Sequence, residues 1–413
     1  MIKSLSVTID PSTWPATGGP SFPAQFHSGQ QNEDIGLLGM LLLLGHLTTP
    51  TVASGVSLSE FWAWVRYVYA IAPQADLRIT PEFAELDAHQ KTILSDDFGM
   101  AISMYWLTRS LDLAYTCDGR YFMDRWPAVA GVPAIKPKKR GPSKSPDFVA
   151  IDTSGKLHVI ECKGTQSGES YRAKQMSTTL PSGAASGAIV QKRSITVPPA
   201  HRGQSLACGL AIATQGQPSP SDLLVVDPTS DDTLDVSQDE VDLIVDPPLR
   251  ASTSRFLRAA GLDIAARTIG TPSGPRAGSR AAEGRFSARQ EGARIERLRR
   301  RRSEAEAEIA RAMLLPRMEI GGRDIIGRRV LLDLPRPIEL EGTAYDQVEI
   351  KQGVTQDLLQ ELLGDGLGEG PLNRLWTSAG KLIQPMKTEE DGPSASLWMG
   401  GAFASSVTFA KAR

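Results

Sequence analysis

The feature that most constrains this sequence is a pair of short apolar runs that flank the polar turn Thr153–Gly155. If Asp152 and Lys156 close the ladder between these runs, the loop has three residues and ends in a glycine, which the left-handed position of such a loop favours. The pattern therefore predicts a β-hairpin and also sets its register. Counting outward from the turn places Asp147 directly opposite Glu161.

The predicted hairpin gathers charged side chains on one face. Side chains alternate along a strand, so Lys163 shares a face with Glu161, whereas Cys162 points the other way. Like charges that face each other across two strands are destabilising unless something compensates them. A divalent cation held by carboxylate oxygens would do so. A lysine beside that cation can orient or deprotonate a water, which is what metal-assisted phosphodiester hydrolysis requires.

The pair Pro146–Asp147 followed by Glu161–Lys163 resembles the motif of the PD-(D/E)xK nucleases, the restriction-endonuclease-like superfamily. The resemblance implies an α/β (mixed α+β) fold in which a mixed core sheet is flanked by helices. It implies that Asp147 and Glu161 bind Mg²⁺ or Mn²⁺ and that Lys163 assists the attacking water. The function it implies is a metal-dependent nuclease that hydrolyses phosphodiester bonds in DNA, with a role in bacterial defence against foreign DNA.

Two further positions follow from the same resemblance, which covers roughly residues 95–214. Many members of the superfamily add an acidic residue from the preceding helix, and Asp97 takes that place here, with Asp96 as its close competitor. Members also often carry a glutamine after the motif strand. Both Gln175 and Gln191 fit that description, and the sequence does not separate them.

Two basic runs are candidate nucleic-acid contacts. The first precedes the hairpin and comprises Lys136, Lys138, Lys139, Arg140 and Lys144. In a nuclease it would neutralise phosphates without regard to sequence, and otherwise it is a solvated loop. The second spans residues 285–302, with eight arginines against two glutamates. It can track a nucleic-acid backbone, pair with the glutamates at 304–308 in a helix, or meet the acidic stretch Ser221–Leu249.

Other interpretations of the hairpin remain open. Asp147, Glu161 and Lys163 can form an ordinary surface ion pair, and Asp97 can simply favour a helix dipole. The alternative function is a catalytically silent nucleic-acid-binding or assembly subunit of the same fold. The expected partners are nucleic acid and, in addition, partner proteins or a second copy of the chain, with no membrane.

Composition divides the chain into four segments. Residues 1–90 are expected to form an N-terminal arm and a helical segment, and residues 91–215 the nuclease domain. Residues 216–284 hold the acidic stretch and a Gly/Pro-rich linker. Residues 285–413 are expected to form an Arg-rich helix and a β-rich C-terminal domain.

Hydrophobic spacing predicts helices over Asp34–Leu47 and Leu58–Ala72. Ser95 is the predicted N-cap of a third helix, which is expected to continue to Tyr115. Strands are predicted in the segments PDFVAID, LHVIECKG, QKRSITV and LACGLAIAT. A helix around Glu169–Leu180 interrupts them.

Composition also excludes several classes of protein. A formal charge of −2 excludes a uniformly basic nucleic-acid coat, and three scattered cysteines favour a reducing, cytoplasmic location. Five histidines without an HExxH pattern argue against a zinc hydrolase. The sequence also lacks the GxxxxGK[ST] phosphate-binding loop, which argues against an ATPase. The most apolar run, Gly36–Leu44, is about half of the ~20 residues that a membrane-spanning helix needs, so a buried helix is expected there.

Overall fold

The computed structural model describes residues 1–16, 19–49, 51, 66–130, 145–177, 187–191, 195–227, 234–236, 241–271, 288–368, 372 and 383–411. The helices of these residues are α1 Leu37–Leu47, α2 Pro81–Ala84, α3 Ala88–Ser110, α4 Gly119–Ala130, α5 Glu169–Met176, α6 Ala188–Gln191, α7 Val241–Ile244, α8 Asp246–Ala259, α9 Asp263–Gly270, α10 Ala288–Ala312 and α11 Gln356–Glu361.

The strands are β1 Ile2–Ile9, β2 Gly29–Gly36, β3 Leu113–Asp118, β4 Phe148–Asp152, β5 Leu157–Thr165, β6 Ile195–Thr196, β7 Arg202–Ala211, β8 Asp222–Val226, β9 Leu234–Asp235, β10 Met318–Ile320, β11 Arg323–Leu340, β12 Thr343–Val354, β13 Lys387–Asp391, β14 Ser394–Met399 and β15 Phe403–Ala410. The fold is mixed α+β, as expected. The four predicted strand segments correspond to β4, β5, β6 and β7.

A mixed sheet organises the described residues, with strand order β2-β1-β8-β7-β5-β4-β3. Strands β3, β4 and β5 form an antiparallel meander, and β5 then pairs in parallel with β7. Helix α5 lies in the connection between β5 and β7, which a parallel pair requires because its strands cannot be joined by a tight turn. Helix α3 packs against β5 and β7, so helices flank the sheet where the hairpin lies.

The sheet extends beyond the expected nuclease segment on both sides. The N-terminal residues were expected to form an arm, but they form strand β1. This strand pairs with β2 and β8 and buries Leu5, Val7 and Ile9. The acidic stretch likewise contributes β8 to the middle of the sheet. Strand β8 is short and lies in an acidic stretch. Strand β1 has eight residues that alternate as in a strand, but the residues after it are rich in Pro, Gly and Ser and dominate the composition of the segment.

Two predicted helix starts are also corrected. The first helix begins at Leu37, because the residues before it pair with β1 as strand β2. Helix α3 begins at Ala88, where the Asp87 carboxylate accepts hydrogen bonds from the first free backbone N–H groups of the helix. Ser95 is therefore a buried residue within α3 and not its N-cap, and the helix ends at Ser110.

The apolar run at the start of α1 is confirmed as part of a buried helix. Every residue of α1 is buried, as expected for a helix that is apolar all round. It contacts both α3 and the second sheet, which has strand order β10-β11-β12-β15-β14-β13 and is antiparallel throughout. The C-terminal region is thus β-rich, as predicted.

The hydrophobic core of the C-terminal region is continuous with the core of the seven-stranded sheet, since Phe256 of α8 stacks on Phe403 with ring centroids 4.9 Å apart.

Most of the predicted helix Leu58–Ala72 lies outside the described residues.

Candidate active site

The β4–β5 hairpin has the register that the sequence predicts. Phe148 pairs with Ile160, and the pairing continues to the turn. There Gly155 has φ +85°, and the backbone N–H of Asp152 donates to the carbonyl of Lys156 at 3.1 Å. One residue further from the turn on each strand, Asp147 is opposite Glu161.

At that open end of the hairpin, the two carboxylates each bind the backbone of the opposite strand. The backbone N–H of Asp147 donates to Glu161 Oε2 at 3.0 Å, and that of Cys162 donates to Asp147 Oδ2 at 2.8 Å. The ammonium group of Lys163 donates to Glu161 Oε1 and lies 3.8 Å from Asp147 Oδ2. We name Asp147, Glu161 and Lys163 the hairpin triad.

The hairpin triad opens to solvent on one side only. The side chain of Glu161 is fully buried, whereas those of Lys163 and Asp147 are 21% and 38% exposed. Burial and the neighbouring Asp147 raise the pKa of Glu161 to about 8, although Lys163 opposes the shift. Burial also raises the pKa of Asp147, again against Lys163. The pKa of Lys163 is raised because its two acidic neighbours outweigh its burial. One lysine therefore does not fully compensate the buried Glu161 and the partly exposed Asp147.

The donor chemistry of the hairpin triad fits a hard divalent cation. Asp147 and Glu161 offer carboxylate oxygens, and Mg²⁺ is commonly bound through one or two carboxylates while it keeps several waters. Within the part of the chain that the structure describes, no group of three or more His, Cys, Asp or Glu side chains forms a ready metal cluster. Two carboxylates with water ligands are thus the set that the described residues provide for Mg²⁺ or Mn²⁺.

The structure separates the two acids of α3. The pKa of Asp96 is raised by burial, and this residue interacts electrostatically with Lys163 and Asp147. Asp97 instead accepts a hydrogen bond from the Tyr67 hydroxyl, and the charge near it is that of Arg66. Of the two candidates, Asp96 is the one that interacts with the hairpin triad.

A contact between two glycines brings α3 close to the strand that carries Lys163. A Cβ atom on Gly99 would lie 2.6 Å from the backbone nitrogen of Gly164, and one on Gly164 would lie 1.7 Å from the carbonyl oxygen of Ser95. Only glycine permits so close an approach of helix and strand. Because Gly164 directly follows Lys163, this contact sets the position of Asp96 beside the hairpin triad.

Helix α5 covers the face of the sheet to which the triad points. Lys163 is in register with Gly209 of the parallel strand β7, and a Cβ on Gly209 would meet Met176 of α5 at 2.3 Å. Gln175 lies on this helix, and its amide oxygen is buried with no hydrogen-bond partner among the described residues. The backbone of Gln191 belongs to α6, but its side chain lies outside the described residues.

Sequence reasoning missed Gln166, the residue that follows β5. Both atoms of its amide group are buried and have no hydrogen-bond partner within the described ranges. It lines a cleft of about 530 Å³ together with Ser167, Ser170 and Gln217. The signal was available, because a glutamine after the motif strand was expected, but only later glutamines were considered.

Sequence reasoning also missed Asp118 at the end of β3. Its charge contributes to the raised pKa of Asp147, after the larger effect of burial. The buried guanidinium of Arg255 donates to Asp118 Oδ2 at 2.7 Å, and the Thr51 hydroxyl donates to the same oxygen at 3.2 Å. No signal could reveal this residue while the segment before it was predicted to be helical as far as Tyr115.

The two basic runs have different outcomes. The run that contains Lys136, Lys138, Lys139, Arg140 and Lys144 lies outside the described residues. The second run is helical in α10, where Arg300 and Arg302 pair with Glu304 and Glu306 at 3.2 and 2.8 Å, as helical spacing predicts.

The acidic stretch pairs elsewhere in its described part. Asp222 bonds with Arg172 of α5, and Asp246 bonds with Arg125 and Arg250, at 3.0 and 2.9 Å. Asp222 and Asp246 therefore pair with these three arginines, whereas Asp227 accepts a hydrogen bond from the backbone N–H of Ser205 at 3.3 Å.

Comparison of the chain with protein-family models, with curated proteins and with solved structures found no match. Within the residues that the structure describes, no helix is both long and apolar enough to cross a membrane. Function can therefore be inferred only from the site itself.

Proposed function

We propose that the protein is a metal-dependent nuclease that hydrolyses phosphodiester bonds in DNA. One observation carries the proposal: the β4–β5 register sets Asp147 opposite Glu161, with Lys163 bonded to the second acid. A mixed sheet flanked by α3 and α5 surrounds this hairpin, which agrees with the restriction-endonuclease-like core that the motif implies. The choice of DNA and a role in bacterial defence against foreign DNA rest on that resemblance alone.

Each residue of the site has a distinct role in this proposal. Asp147 and Glu161 hold Mg²⁺ or Mn²⁺, which would supply Lewis-acid stabilisation of the charge that develops on the phosphate. Lys163, as an ammonium group, orients the attacking water and stabilises the negative charge that develops on it, while the proton of that water passes to solvent. Asp96 accepts a hydrogen bond from a water at the edge of the site.

The test is cleavage of plasmid and single-stranded DNA in the presence of Mg²⁺ or Mn²⁺. We expect cleavage by the wild type and its loss in both Asp147→Ala and Lys163→Ala. Asp152→Asn is the matched control, because it changes an acid at the other end of the same hairpin and should retain cleavage. Cutting that survives both triad substitutions would exclude this site.

A catalytically silent subunit of the same fold is the second candidate. It is favoured by the hydrogen bond between Lys163 and Glu161, which partly compensates the buried acid without any metal. Such a subunit would bind nucleic acid equally well after Asp147→Ala, and Mn²⁺ would not raise its melting temperature. A ligand that binds only the native state must raise that temperature, so thermal unfolding with and without Mn²⁺ separates the two candidates.

A further inference from the structure

Helix α10 carries its charges in an order that disfavours a helix. Residues 288–302 hold seven arginines and two glutamates, a net charge of +5, and residues 303–312 hold three glutamates and one arginine, a net charge of −2. A helix dipole favours acids at the N-terminal end and bases at the C-terminal end, which is the reverse of this order. The two ion pairs of α10 run from arginine to glutamate, which is also the weaker direction along a helix. Helix stability therefore does not account for the arginines.

Three of these arginines have no ion pair within the described ranges. Arg297, Arg299 and Arg301 are all exposed, and we name them the arginine cluster. They differ in this from Arg300 and Arg302, each of which pairs with a glutamate one turn further on. At about 100° per residue, Arg297 and Arg301 lie close together around the helix axis and Arg299 lies on the opposite side, so the arginine cluster presents free guanidinium donors on two sides of α10.

The second half of α10 anchors it to the body of the protein. Ala305, Ile309 and Ala312 are buried, and the carboxylate of Glu308 accepts hydrogen bonds from the backbone N–H groups of Ile264 and Ala265 at 3.2 and 2.7 Å. These two donors are the free N–H groups at the start of α9. The anchored half therefore fixes the direction in which the arginine cluster is presented.

A continuous set of contacts leads from the hairpin triad to the arginine cluster. Asp118 lies beside Asp147 in the sheet and accepts a hydrogen bond from Thr51. The carbonyl of Thr51 accepts one from Ser254 of α8 at 2.8 Å and lies against Gly270, the last residue of α9.

The residue that follows α9 completes this set of contacts. Thr271 lines a cavity of about 190 Å³ together with Arg299, Arg301 and Arg302 of α10.

Arg120 is an exposed cation near the open end of the hairpin. It follows Gly119, and the backbone N–H of Gly119 donates to the carbonyl of Asp147 at 3.1 Å. In the described part of the chain Arg120 has no ion-pair partner. Its backbone therefore lies close to that of Asp147, on the side where β3 ends.

We propose that the arginine cluster and Arg120 bind the phosphate backbone of a DNA duplex that extends from the hairpin triad across α9 to α10. Guanidinium forks match phosphate oxygens two at a time, and exposed, unpaired arginines are free to do so. The contact reads no sequence, so it sets affinity and position along the duplex. This inference rests on the proposed nuclease function, since it assigns the path of the same substrate.

The test measures binding alone, in the full-length Asp147→Ala protein with EDTA, so that no cutting can occur. The probe is a fluorescein-labelled duplex of about 30 base pairs, a little under three turns, followed by anisotropy over a range of salt concentrations. Arg297→Gln, Arg299→Gln and Arg301→Gln are combined in one variant. Arg317→Gln, Arg329→Gln and Arg336→Gln, on or beside the second sheet, form the matched control with the same loss of charge.

For the cluster variant we expect Kd to rise at least about tenfold and the slope of log Kd against log salt to fall by about 2–3, since each duplex phosphate contact contributes about 0.9. Arg120→Gln should lower the slope by about 1. The control variant should keep the parent slope. The cluster variant should melt at or above the parent temperature, because glutamine is a good helix former and removes charges that oppose the dipole.

The inference is overturned if the cluster variant keeps the parent slope of log Kd against log salt. It is also overturned if that slope falls equally in the control variant. If metal-dependent cleavage by the wild type persists in that case, the nuclease proposal stands without it. If the slope falls as expected but the wild type cuts no DNA, the arginine surface stands and the nuclease proposal fails.

Discussion

The two ends of the β4–β5 hairpin both carry acidic side chains, and their environments shift pKa values in opposite directions. At the turn, burial opposes the ionisation of Asp152, but hydrogen bonds from His158, Ser154 and Lys156 outweigh it and lower the pKa of Asp152. At the open end, burial raises the pKa of both Asp147 and Glu161.

The difference shows how one motif separates structure from chemistry. The turn-end acid has enough donors to be stable as an anion, so it holds the loop and the neighbouring strand in place. His158, which bonds to Asp152 at 3.2 Å, also accepts from the backbone N–H of Gln204 in β7 at 3.0 Å. The open end has more negative charge than its lysine compensates. Strongly perturbed acids at an accessible edge are typical of functional sites, and the four predictions below test that contrast.

The largest effect is expected for Glu161→Gln. Removing one of the two carboxylates that would hold the metal, and with it the stabilisation of the developing charge, should lower the cleavage rate by at least about 10²–10³-fold. Glu161→Gln also removes a buried acid whose pKa is about 8, well above the ordinary value of 4.5. Between pH 4.5 and pH 8 the native state therefore holds a proton on Glu161 that the unfolded state has released. Stability of the wild type therefore falls as pH rises through that range, and without metal the variant should melt at or above the wild-type temperature at pH 8.

Cleavage assays and thermal unfolding at pH 8, without metal, check this prediction. Glu169→Gln, an exposed acid in the first turn of α5, is the control and should change neither quantity appreciably. A Glu161→Gln variant that melts well below the wild type would mean that Glu161 is a satisfied structural anion like Asp152, and the contrast would fail.

The next effect concerns the two acids of α3. Asp96→Asn should lower the cleavage rate by about 10–100-fold, the cost typical of a group that supports a metal site from outside. Asp97→Asn should leave the rate within about threefold and lower stability instead, since it weakens the hydrogen bond from Tyr67. Paired rate measurements and melting curves distinguish the two variants. The reverse pattern of rates would restore Asp97 as the acid of the site.

The close packing that positions Asp96 gives a third prediction. Gly99→Ala should destabilise the protein by about 1–3 kcal/mol, because the backbone of Gly164 cannot move away as a flexible side chain could. Gly292→Ala is the matched control, also a glycine within a helix. A Cβ atom on Gly292 would have no other atom within 4 Å, so this substitution in α10 should stabilise the protein by about 0.5–1 kcal/mol. Urea unfolding of both variants measures the difference, and equal effects would show that the helix–strand contact is not tight.

The smallest effect is expected at the turn end. Asp152→Asn should cost about 1–2 kcal/mol at neutral pH, through weakened hydrogen bonds. Because the folded pKa of Asp152 lies below its ordinary value of 3.8, its ionisation stabilises the fold above that value and the contribution is lost as pH falls through the folded pKa. Urea unfolding from neutral to acidic pH should show the cost of the substitution shrinking below about pH 4. A cost that stays constant over this range would contradict the assignment.

Local sequence was sufficient to predict the hairpin and its register. A three-residue loop with Gly155 at its end and the period-two alternation of strands are local rules, so they set Asp147 opposite Glu161 with no knowledge of the remaining chain. The burial of α1 followed from its unbroken apolar run in the same way. The pairing of Arg300 and Arg302 with glutamates one turn later also depends on helical spacing alone.

Only the tertiary structure decided which other residues join this hairpin. The N-cap at Asp87 and the Gly99–Gly164 contact set the position of α3, and through it which of Asp96 and Asp97 interacts with the hairpin triad. The positions of β1 and β8 in the sheet, and of Asp118 beside Asp147, arise from pairings between distant segments. The physical reason is that register and helical spacing depend on neighbours along the chain. Which surfaces meet depends instead on close packing and strand pairing among residues far apart in sequence.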